Sequence, residues 1–325
     1  MQPESQNSFT SNINKKIPKV SVCVVTYNQE KYIKQCLQSI VDQETDFDFE
    51  IIVGDDCSTD GTRKIIMEFV EKFPDKFKIL FHPQNIGAAF NYARTHELAA
   101  GDYVAHMDGD DLMLPGKLQK QVDVFAENND CVIVTHDMQI LNKDNSINKR
   151  TFKKHKAGIN TIWDLYRTLP FFAHSSKMVK RDVESKVLGL ISKNTIDIEL
   201  HVGMAEQGNI YHIDEPLGVY RVGVGISSNT KKSINPALPE ATIRIYEGAI
   251  KKHPESAGDL KKYYARAILN YAYQSAIFKK KEDFNRYLRY SIGILHYSFL
   301  QTIFLKIPNV LIFAIIGLRN KFRHD

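Results

Sequence analysis

The sequence predicts an α/β fold, with a doubly wound mixed sheet flanked by helices and a mainly helical C-terminal region. Short β-branched apolar runs alternate with amphipathic segments from Lys19 to Asp108, which is typical of parallel strands joined by right-handed crossover helices. The first run, Lys19–Thr26, is apolar without alternation, as expected for a strand covered on both faces. From Glu240 to Phe304 the sequence is mostly helical in pattern and rich in tyrosine and basic residues.

The first part of the chain divides into five predicted strands with four predicted helices between them. The first helix places Ile33, Leu37, Ile40 and Val41 at the i, i+4, i+7, i+8 spacing of a buried face. The predicted strands are residues 19–26, 49–54, 78–82, 103–107 and 131–135. The predicted helices are residues 30–43, 62–73, 87–99 and 118–127.

The second part of the chain is less regular. A β-rich return, Asn209–Arg221, is expected to turn at Glu215–Pro216. The Lys-rich residues 142–155 form a loop or hairpin, and the Gly- and Ser-containing residues 223–239 a mobile loop. Further helices are predicted at 161–169 and 195–207, and the predicted divisions are a flexible leader (1–18), an α/β domain (19–235) and a helical C-terminal region (236–325).

Charge and cysteine content limit the possible environments. Residues 251–325 contain 14 Lys and Arg against 5 Asp and Glu, whereas residues 1–250 contain 29 against 33. The basic C-terminal region therefore suits an anionic surface, and the rest of the chain does not indicate a nucleic-acid partner. The four cysteines show no metal-ligand spacing, and the polar start lacks the apolar core of a signal peptide. A cytoplasmic protein is expected.

The apolar C-terminal end, Phe299–Leu318, is interrupted by Lys306 and Pro308. Its longest charge-free stretch is residues 307–318, which is too short to span a bilayer, because a spanning helix needs about 20 apolar residues. Its basic flanks favour a helix lying in an anionic membrane surface, at the inner face of the cell membrane. The alternative is packing on the body of the protein or on a second copy, which would make a homodimer through the C-terminal helices.

Three carboxylates, Asp108, Asp110 and Asp111, follow the fourth predicted strand within four residues. One interpretation is a solvated turn that caps the next helix. The other is a metal site, since Tyr27–Asn28 and Asp55–Asp56 end two earlier strands and ligands gather at the C-terminal strand ends of such sheets. A divalent cation, Mn²⁺ or Mg²⁺, held by one or two carboxylates and substrate phosphates would fit this edge.

Two other ion- or phosphate-binding motifs are excluded. Asp56, Ser58, Asp60 and Gly61 match the opening of an EF-hand loop, but Met67 occupies its twelfth position, where a bidentate Glu is required. No GxGxxG run follows the first strand, which argues against a dinucleotide-binding fold.

Several segments together resemble family 2 glycosyltransferases with the GT-A fold. They are VSVCVVTYNQEKYIKQCLQSI, FEIIVGDDCSTDGT, NIGAAFNYA, DYVAHMDGDDLMLPGKL, and IDIELHVGMAEQG followed by IDEPLGVYR, over about residues 18–230. The resemblance implies a GT-A domain at 19–235. It also implies metal-dependent transfer of a sugar, with inversion, from a nucleotide diphosphate sugar, UDP most often, to an acceptor hydroxyl.

The same resemblance implies roles for individual residues. Asp110 would contact the metal, Asp108 the ribose or the metal and its waters, and Asp197 would be the general base, with Glu199 as its nearest competitor. Asp55 would be a structural neighbour of Asp56. The donor nucleotide would be held by Thr26, Tyr27, Asn28, Asp56 and Asn85.

The sequence departs from the family pattern at three positions. Phe90 stands where Arg is frequent, Ile196 where Glu is usual, and Gly223 where His is common. Arg221 remains as a pyrophosphate clamp, because a guanidinium suits phosphate oxygens. The alternative for Arg221 is a structural ion pair with an acid such as Glu215.

The acceptor is expected to be a lipid-linked saccharide or a growing polysaccharide repeat. Trp163, Phe171, Phe172 and His174 could form a platform for it, since aromatic faces suit sugars and lipids; core packing is the alternative. Two other functions stay open, a sugar-phosphate nucleotidyltransferase and an inactive membrane-associated scaffold of the same fold. The first usually has a Gly-rich basic loop after the first strand, which this sequence lacks.

Overall fold

The computed structural model describes residues 17–142, 146–151, 155–224, 233–306 and 312. Its centre is one ten-stranded mixed sheet. The strands are β1 (Val20–Thr26), β2 (Phe49–Asp55), β3 (Phe77–Phe81), β4 (Tyr103–Asp108), β5 (Leu112–Met113), β6 (Cys131–Leu141), β7 (Ile147–Thr151), β8 (Gly158–Asn160), β9 (Met178–Lys180) and β10 (Asn209–Arg221).

Helices cover the sheet and form the C-terminal region. The expected alternation of strand and helix up to Asp108 is confirmed. The helices are α1 (Ile33–Val41), α2 (Thr62–Lys72), α3 (Ala88–His96), α4 (Lys117–Glu127), α5 (Ile162–Arg167), α6 (Arg181–Leu188), α7 (Asp197–Ala205), α8 (Ala237–Lys252), α9 (Ala257–Ile277), α10 (Lys281–Ile294) and α11 (Phe299–Lys306), with short 3₁₀ turns at His174–Ser176 and Pro254–Ser256.

The first half of the sheet is parallel, in the order β3–β2–β1–β4. Val20 of β1 pairs with Phe49 on one side and Tyr103 on the other, so the three strands run in register. β1 and β2 are buried on both faces, as their continuous apolar runs require. Their C-terminal ends therefore lie together at one edge of the sheet.

The second half of the sheet is mixed and was predicted less well. β9 is antiparallel to both β4 and β6, and at three residues it is too short to show a pattern in sequence. β6 continues to Leu141, beyond the predicted end at residue 135. The expected turn at Glu215–Pro216 is wrong, because β10 runs through it with register shifts beside Pro216. A bulge accommodates proline, which has no N–H to donate to a neighbouring strand.

The C-terminal helices share a hydrophobic core with the second half of the sheet and its helices. The hydroxyl of Tyr246 on α8 donates to the carbonyl of Tyr166 on α5 at 2.5 Å. Arg244, also on α8, pairs with Glu199 of α7 at 2.8 Å. The helical region therefore packs on the α/β part.

Parts of several predicted segments lie outside the described residues: 1–16 of the leader, 143–145 and 152–154 of the Lys-rich segment, and 225–232 of the expected mobile loop. Within the Lys-rich segment, β7 pairs antiparallel with β6, which is the hairpin alternative. The end of the expected loop is helical, since α8 begins at Ala237.

The last described helix, α11, has one packed side and one exposed side. Gln301 is fully buried and donates to Ser291 Oγ at 3.0 Å. Phe299, Leu300 and Leu305 are 77%, 55% and 55% exposed. Apart from Ile312, residues 307–325 of the predicted membrane-surface segment lie outside the described residues. Within the part that is described, no helix is both long and apolar enough to cross a bilayer.

Candidate active site

The ends of β1, β2 and β4 bring the predicted site residues to one edge of the sheet. In the strand pairing, Thr26 lies beside Asp55 and Val25 lies beside Asp108. The backbone N–H of Asp56 donates to the Thr26 carbonyl at 3.0 Å, which extends the pairing past the end of β2. Polar residues that are up to 82 positions apart in sequence, Thr26 and Asp108, thus line one edge.

Asp56 holds the loop that leads into α3. Its carboxylate oxygens accept hydrogen bonds from the backbone N–H groups of Ile86 at 2.7 Å and Gly87 at 3.0 Å. Asn85 Nδ2 donates to the Asp56 carbonyl at 3.2 Å. Gly87 has a φ of +90°, which favours glycine. Asp56 and Asn85, both predicted to bind the donor, are therefore fixed against each other at this edge.

The turn after β1 is fixed by the turn after β2. Asn28 has a φ of 51°, its Oδ1 accepts the Thr59 N–H at 2.8 Å, and its own N–H donates to Ser58 Oγ at 2.8 Å. Tyr27 is 46% exposed. The two turns together therefore present an exposed aromatic ring, a suitable surface for a nucleotide base.

Asp55 has the structural position that was expected for it. It is fully buried and forms an ion pair with Arg63 of α2. Arg63 Nη2 also donates to the His82 carbonyl at 2.6 Å. The pair therefore joins the end of β2 to α2 and to the residue after β3.

Asp111 is not the cap of the following helix. Helix α4 begins at Lys117 after Gly116, without a side-chain cap. The Asp111 carboxylate instead accepts hydrogen bonds from Ser175 Oγ at 2.6 Å and from the Arg221 N–H at 2.9 Å, and it is 1% exposed. Asp111 thus ties the end of β10 to the turn before β9.

Asp108 and Asp110 are the carboxylates that could receive a cation. The Asp108 side chain is 34% exposed. Burial, together with the charge of Asp108, raises the pKa of Asp110 to about 6, and burial also raises the pKa of Asp108. Two carboxylates whose ionisation is disfavoured in this way would gain from a nearby cation.

The available ligands fit Mn²⁺ or Mg²⁺ bound jointly with phosphates. Among the described residues, no group of three or more His, Cys, Asp or Glu side chains is arranged to hold a metal. A site with one or two carboxylates, completed by substrate phosphates and water, is the usual arrangement for Mg²⁺. Asp108 and Asp110 match that donor set.

Arg221 lies against this acidic segment. Its Nε donates to the Asp110 carbonyl at 3.0 Å, its Nη2 donates to Gln35 Oε1 at 2.8 Å, and its guanidinium lies 4.8 Å from the centre of the Tyr32 ring. The alternative ion pair with Glu215 is wrong, because Glu215 pairs with Lys120 at 2.6 Å. A fixed positive charge therefore lies next to Asp110.

Asp197 begins α7, where its Oδ1 accepts the Ile198 N–H at 2.9 Å. Burial and then the negative charge of Asp108 raise the pKa of Asp197, and Lys177 opposes that effect. The charge of Asp108 therefore acts on the carboxyl group of Asp197. A base with a raised pKa is a better proton acceptor.

Glu199 is less suited to be the base. Its carboxylate accepts two hydrogen bonds from Arg244, at 2.8 and 2.9 Å, and one from the Ile196 N–H at 3.1 Å. These contacts join α7 to α8 and close the first turn of α7. Both carboxylate oxygens of Glu199 therefore take part in contacts that hold α7 and α8 together.

The aromatic platform is largely core. Phe171 and Phe172 are 1% and 2% exposed and pack in the hydrophobic core, so the platform prediction is wrong for them. The Phe171 ring stacks on His155, and the Phe172 ring packs against His201 of α7. Trp163 packs edge-on against Tyr166, and His174 Nδ1 lies 3.0 Å from His201 Nε2.

Some site residues were not predicted from the sequence. Ser175 contacts Asp108 and Asp111, and His106 lies directly behind Asp108. The histidine had a signal, because it interrupts the apolar run YVAHM of β4. Ser175 had none, since the turn that carries it follows no recognisable pattern.

The chain is similar to several known proteins. The model of glycosyl transferase family 2 matches residues 21–188. An uncharacterized protein of Mycobacterium tuberculosis is 30% identical over 208 residues, which is 62% of this chain and 58% of that protein. A candidate teichuronic acid biosynthesis glycosyltransferase of Bacillus subtilis, TuaG, is 39% identical over 110 residues, or 34% of this chain and 43% of TuaG. The chain thus spans less than two thirds of these relatives.

Two solved structures share the fold. The S. aureus TarS fragment 1–349 in complex with UDP-GlcNAc aligns with a TM-score of 0.67 at 19% identity, over 85% of this chain and 81% of that one. The Pyrobaculum calidifontis mannosyltransferase PcManGT in complex with GDP-Man and Mn²⁺ aligns with a TM-score of 0.60 at 18% identity, over 95% and 83%. The family model covers more than half of the chain, and the chain has a GT-A-like mixed sheet: the chain belongs to glycosyl transferase family 2.

Proposed function

We propose that the protein is a metal-dependent, inverting glycosyltransferase that moves a sugar from a UDP-sugar to an acceptor hydroxyl. The observation that carries this proposal is the contact of Arg221 with Asp110, two residues after Asp108; the charge of Asp108 also acts on Asp197. TarS was solved with UDP-GlcNAc and PcManGT with GDP-Man and Mn²⁺, which supports a nucleotide-sugar donor and a divalent metal.

The donor would lie across the three strand ends. Its base would contact Tyr27 and the turn of Asn28, and its ribose would approach Asp56 and Asp108, beside Thr26 and Asn85. Asp110 and Asp108 would hold Mn²⁺ or Mg²⁺ together with the diphosphate. The metal would supply charge stabilisation for the departing diphosphate. Arg221 would add a positive charge on the same side.

Asp197 would act on the acceptor. As the acceptor oxygen attacks the anomeric carbon, its proton passes to the Asp197 carboxylate, the bond from carbon to the diphosphate oxygen breaks, and the nucleoside diphosphate leaves. Attack from the face opposite the leaving group inverts the anomeric centre in one step. The raised pKa of Asp197 suits this proton transfer.

The direct test is a panel of nucleotide sugars, incubated with the full chain with and without Mn²⁺. We expect release of the nucleoside diphosphate from one donor, only with metal, and loss of that release in Asp110→Ala. Metal-independent release or an unaffected Asp110→Ala variant would contradict the proposed metal role. The anomeric configuration of the product, read by NMR, tests inversion.

The same assay, extended to nucleoside triphosphates with sugar 1-phosphates, separates the two rival functions. A sugar-phosphate nucleotidyltransferase would release pyrophosphate from a nucleoside triphosphate and a sugar 1-phosphate. An inactive scaffold would bind a nucleotide sugar and release no product with any acceptor. The contact of Arg221 with Asp110, together with the candidate base Asp197, favours transfer over both.

We further propose a lipid-linked saccharide or polysaccharide repeat as acceptor, presented at the inner face of the cell membrane. The exposed apolar side chains Phe299, Leu300 and Leu305 support a membrane-contacting side of α11, and the name of TuaG supports a polysaccharide acceptor. Flotation with anionic vesicles should carry the full chain upward. The control is Leu300→Glu with Leu305→Glu, which should stay at the bottom; retention of binding would contradict this. Concentration-dependent sedimentation without vesicle binding would indicate a homodimer instead.

A further inference from the structure

A continuous hydrogen-bonded chain of buried side chains runs from α6 to the candidate active site. Glu184 Oε1 lies 2.9 Å from His96 Nδ1. His96 Nε2 and His106 Nδ1 share a hydrogen bond at 3.0 Å, and His106 Nε2 lies 3.2 Å from Asp108 Oδ1. His96, His106 and Glu184 are 3%, 0% and 1% exposed. This hydrogen-bonded series of four side chains therefore ends at Asp108, the one member that reaches solvent.

The inner end of this chain is anchored by two further buried groups. The Tyr92 hydroxyl donates to Glu184 Oε1, and the Lys177 ammonium donates to the Tyr92 hydroxyl at 3.0 Å. The rings are also packed, with centroids 3.8 Å apart for Tyr92 and His96. Burying charged and polar groups costs free energy relative to apolar packing. Packing alone therefore does not explain why these hydrogen-bonded polar side chains are buried.

The outer end fixes the plane of the Asp108 carboxylate. Oδ1 faces His106 Nε2, and Oδ2 lies 3.2 Å from Ser175 Oγ. The Asp108 backbone N–H donates to the same Ser175 oxygen at 3.1 Å. A carboxylate at the end of a strand would otherwise rotate freely about its side-chain bonds. Here both of its oxygens have partners on the protein side.

We propose that His106, held by His96 and Glu184, is a positioning residue that fixes the Asp108 carboxylate in the orientation needed to bind the metal and the donor ribose. The inference rests on the proposed function, since it assigns Asp108 to that site. Partners behind a metal ligand fix its orientation, and their loss usually weakens metal affinity by about 10–100-fold. The loss should appear in binding and in the donor KM more than in kcat.

A matched pair of substitutions at His106 tests this without a large change in size or polarity. The amide nitrogen of Gln is as many bonds from Cα as His Nε2, so His106→Gln keeps a nitrogen in contact with Asp108 and loses the contact with His96. The amide nitrogen of Asn matches His Nδ1, so His106→Asn keeps the contact with His96 and loses the one with Asp108. Both variants remove the ring from the core.

The affinity for Mn²⁺ in the presence of UDP is measured from the EPR signal of free Mn²⁺. The donor KM, kcat and the melting temperature are measured as well. We expect His106→Asn to weaken Mn²⁺ affinity and raise the donor KM about tenfold, while His106→Gln stays within about twofold of wild type. Equal effects in the two variants, or losses that follow the melting temperature, would overturn the proposal and leave a structural role.

A second pair of variants, at His96, and a binding measurement on the wild type keep the possible outcomes distinct. If His106 variants do not fold, the same exchange moves to His96, where Gln keeps the contact with His106 and Asn keeps the one with Glu184. We then expect weaker Mn²⁺ affinity in His96→Asn than in His96→Gln, and equal affinities would overturn the proposal. Failure of the proposed function itself would show as absent Mn²⁺ and UDP binding in the wild type.

Discussion

Replacing Asp110 with Asn should stabilise the metal-free protein while removing its response to metal. Asp110 is 8% exposed, and burial with the charge of Asp108 moves its pKa from 3.8 to about 6. At about 1.4 kcal/mol per pKa unit, keeping this carboxylate ionised in the folded state costs roughly 3 kcal/mol. Asn has nearly the same shape without the charge, so we expect a gain of about 1–3 kcal/mol in the free energy of unfolding at pH 7.5.

The pH dependence of this gain has a definite sign. The folded-state pKa of Asp110 lies above its unfolded value, so the protonated carboxyl contributes stability below about pH 4, and that contribution is lost as the pH rises through about 6. The Asn variant has no such group. Its advantage over wild type should therefore be largest above pH 6 and should vanish towards pH 4.

The assay is urea unfolding with EDTA at several pH values, repeated with Mn²⁺ and UDP. A ligand at 100 times its Kd stabilises the folded state by about 2.7 kcal/mol, so wild type should gain on addition and Asp110→Asn should not. Asp123→Asn, on the exposed face of α4, is the matched control and should change stability by less than about 0.5 kcal/mol. A destabilised Asp110→Asn variant, or an advantage that does not vary with pH, would refute the reasoning.

Four further outcomes are expected at the same site. Asp197→Asn should lower kcat by about 10²–10⁴-fold with an unchanged donor KM. In the wild type, kcat should fall as the pH drops through the raised pKa of Asp197. A kcat that does not change with pH would contradict the base role. Glu199→Gln should keep kcat within a few-fold, because its carboxylate is committed to α8. Asp56→Ala should free the loop before α3 and raise the donor KM about tenfold, near 1.4 kcal/mol, as measured by initial rates. Arg221→Lys should raise the donor KM by a similar factor, since Lys lacks the fork of the guanidinium; an unchanged KM would remove Arg221 from the donor site.

The parallel half of the sheet was predictable because its signals are local. Continuous apolar runs such as Lys19–Thr26 predict strands buried on both faces, and the stripe on α1 predicts its packed side. The polar pairs at the strand ends then had to meet, since parallel strands end at one edge. The roles of Asp55 and Asp56 could be distinguished only through the family resemblance. The structure shows why they differ, because Asp55 pairs with Arg63 whereas Asp56 binds the loop before α3.

The mixed half was not predictable to the same degree. β9 is three residues long, and the chain continues as a strand through Pro216, where sequence favours a turn. Phe171 and Phe172 have the composition of a sugar-binding platform and the position of core residues. Composition does not determine which of two faces a residue occupies when the element that carries it is irregular.

The sequence by itself determined the α/β class, the site edge, the acidic segment and the family. Only the tertiary structure decided what each acid contacts: Asp111 bonds to Arg221, 110 positions away, rather than capping α4, and Arg221 lies against Asp110 rather than Glu215. It also joined Glu184 to Asp108 through two histidines. The physical reason is range, because strand and helix patterns arise from neighbours within a few residues, whereas side-chain hydrogen bonds depend on which strands and helices the fold places side by side.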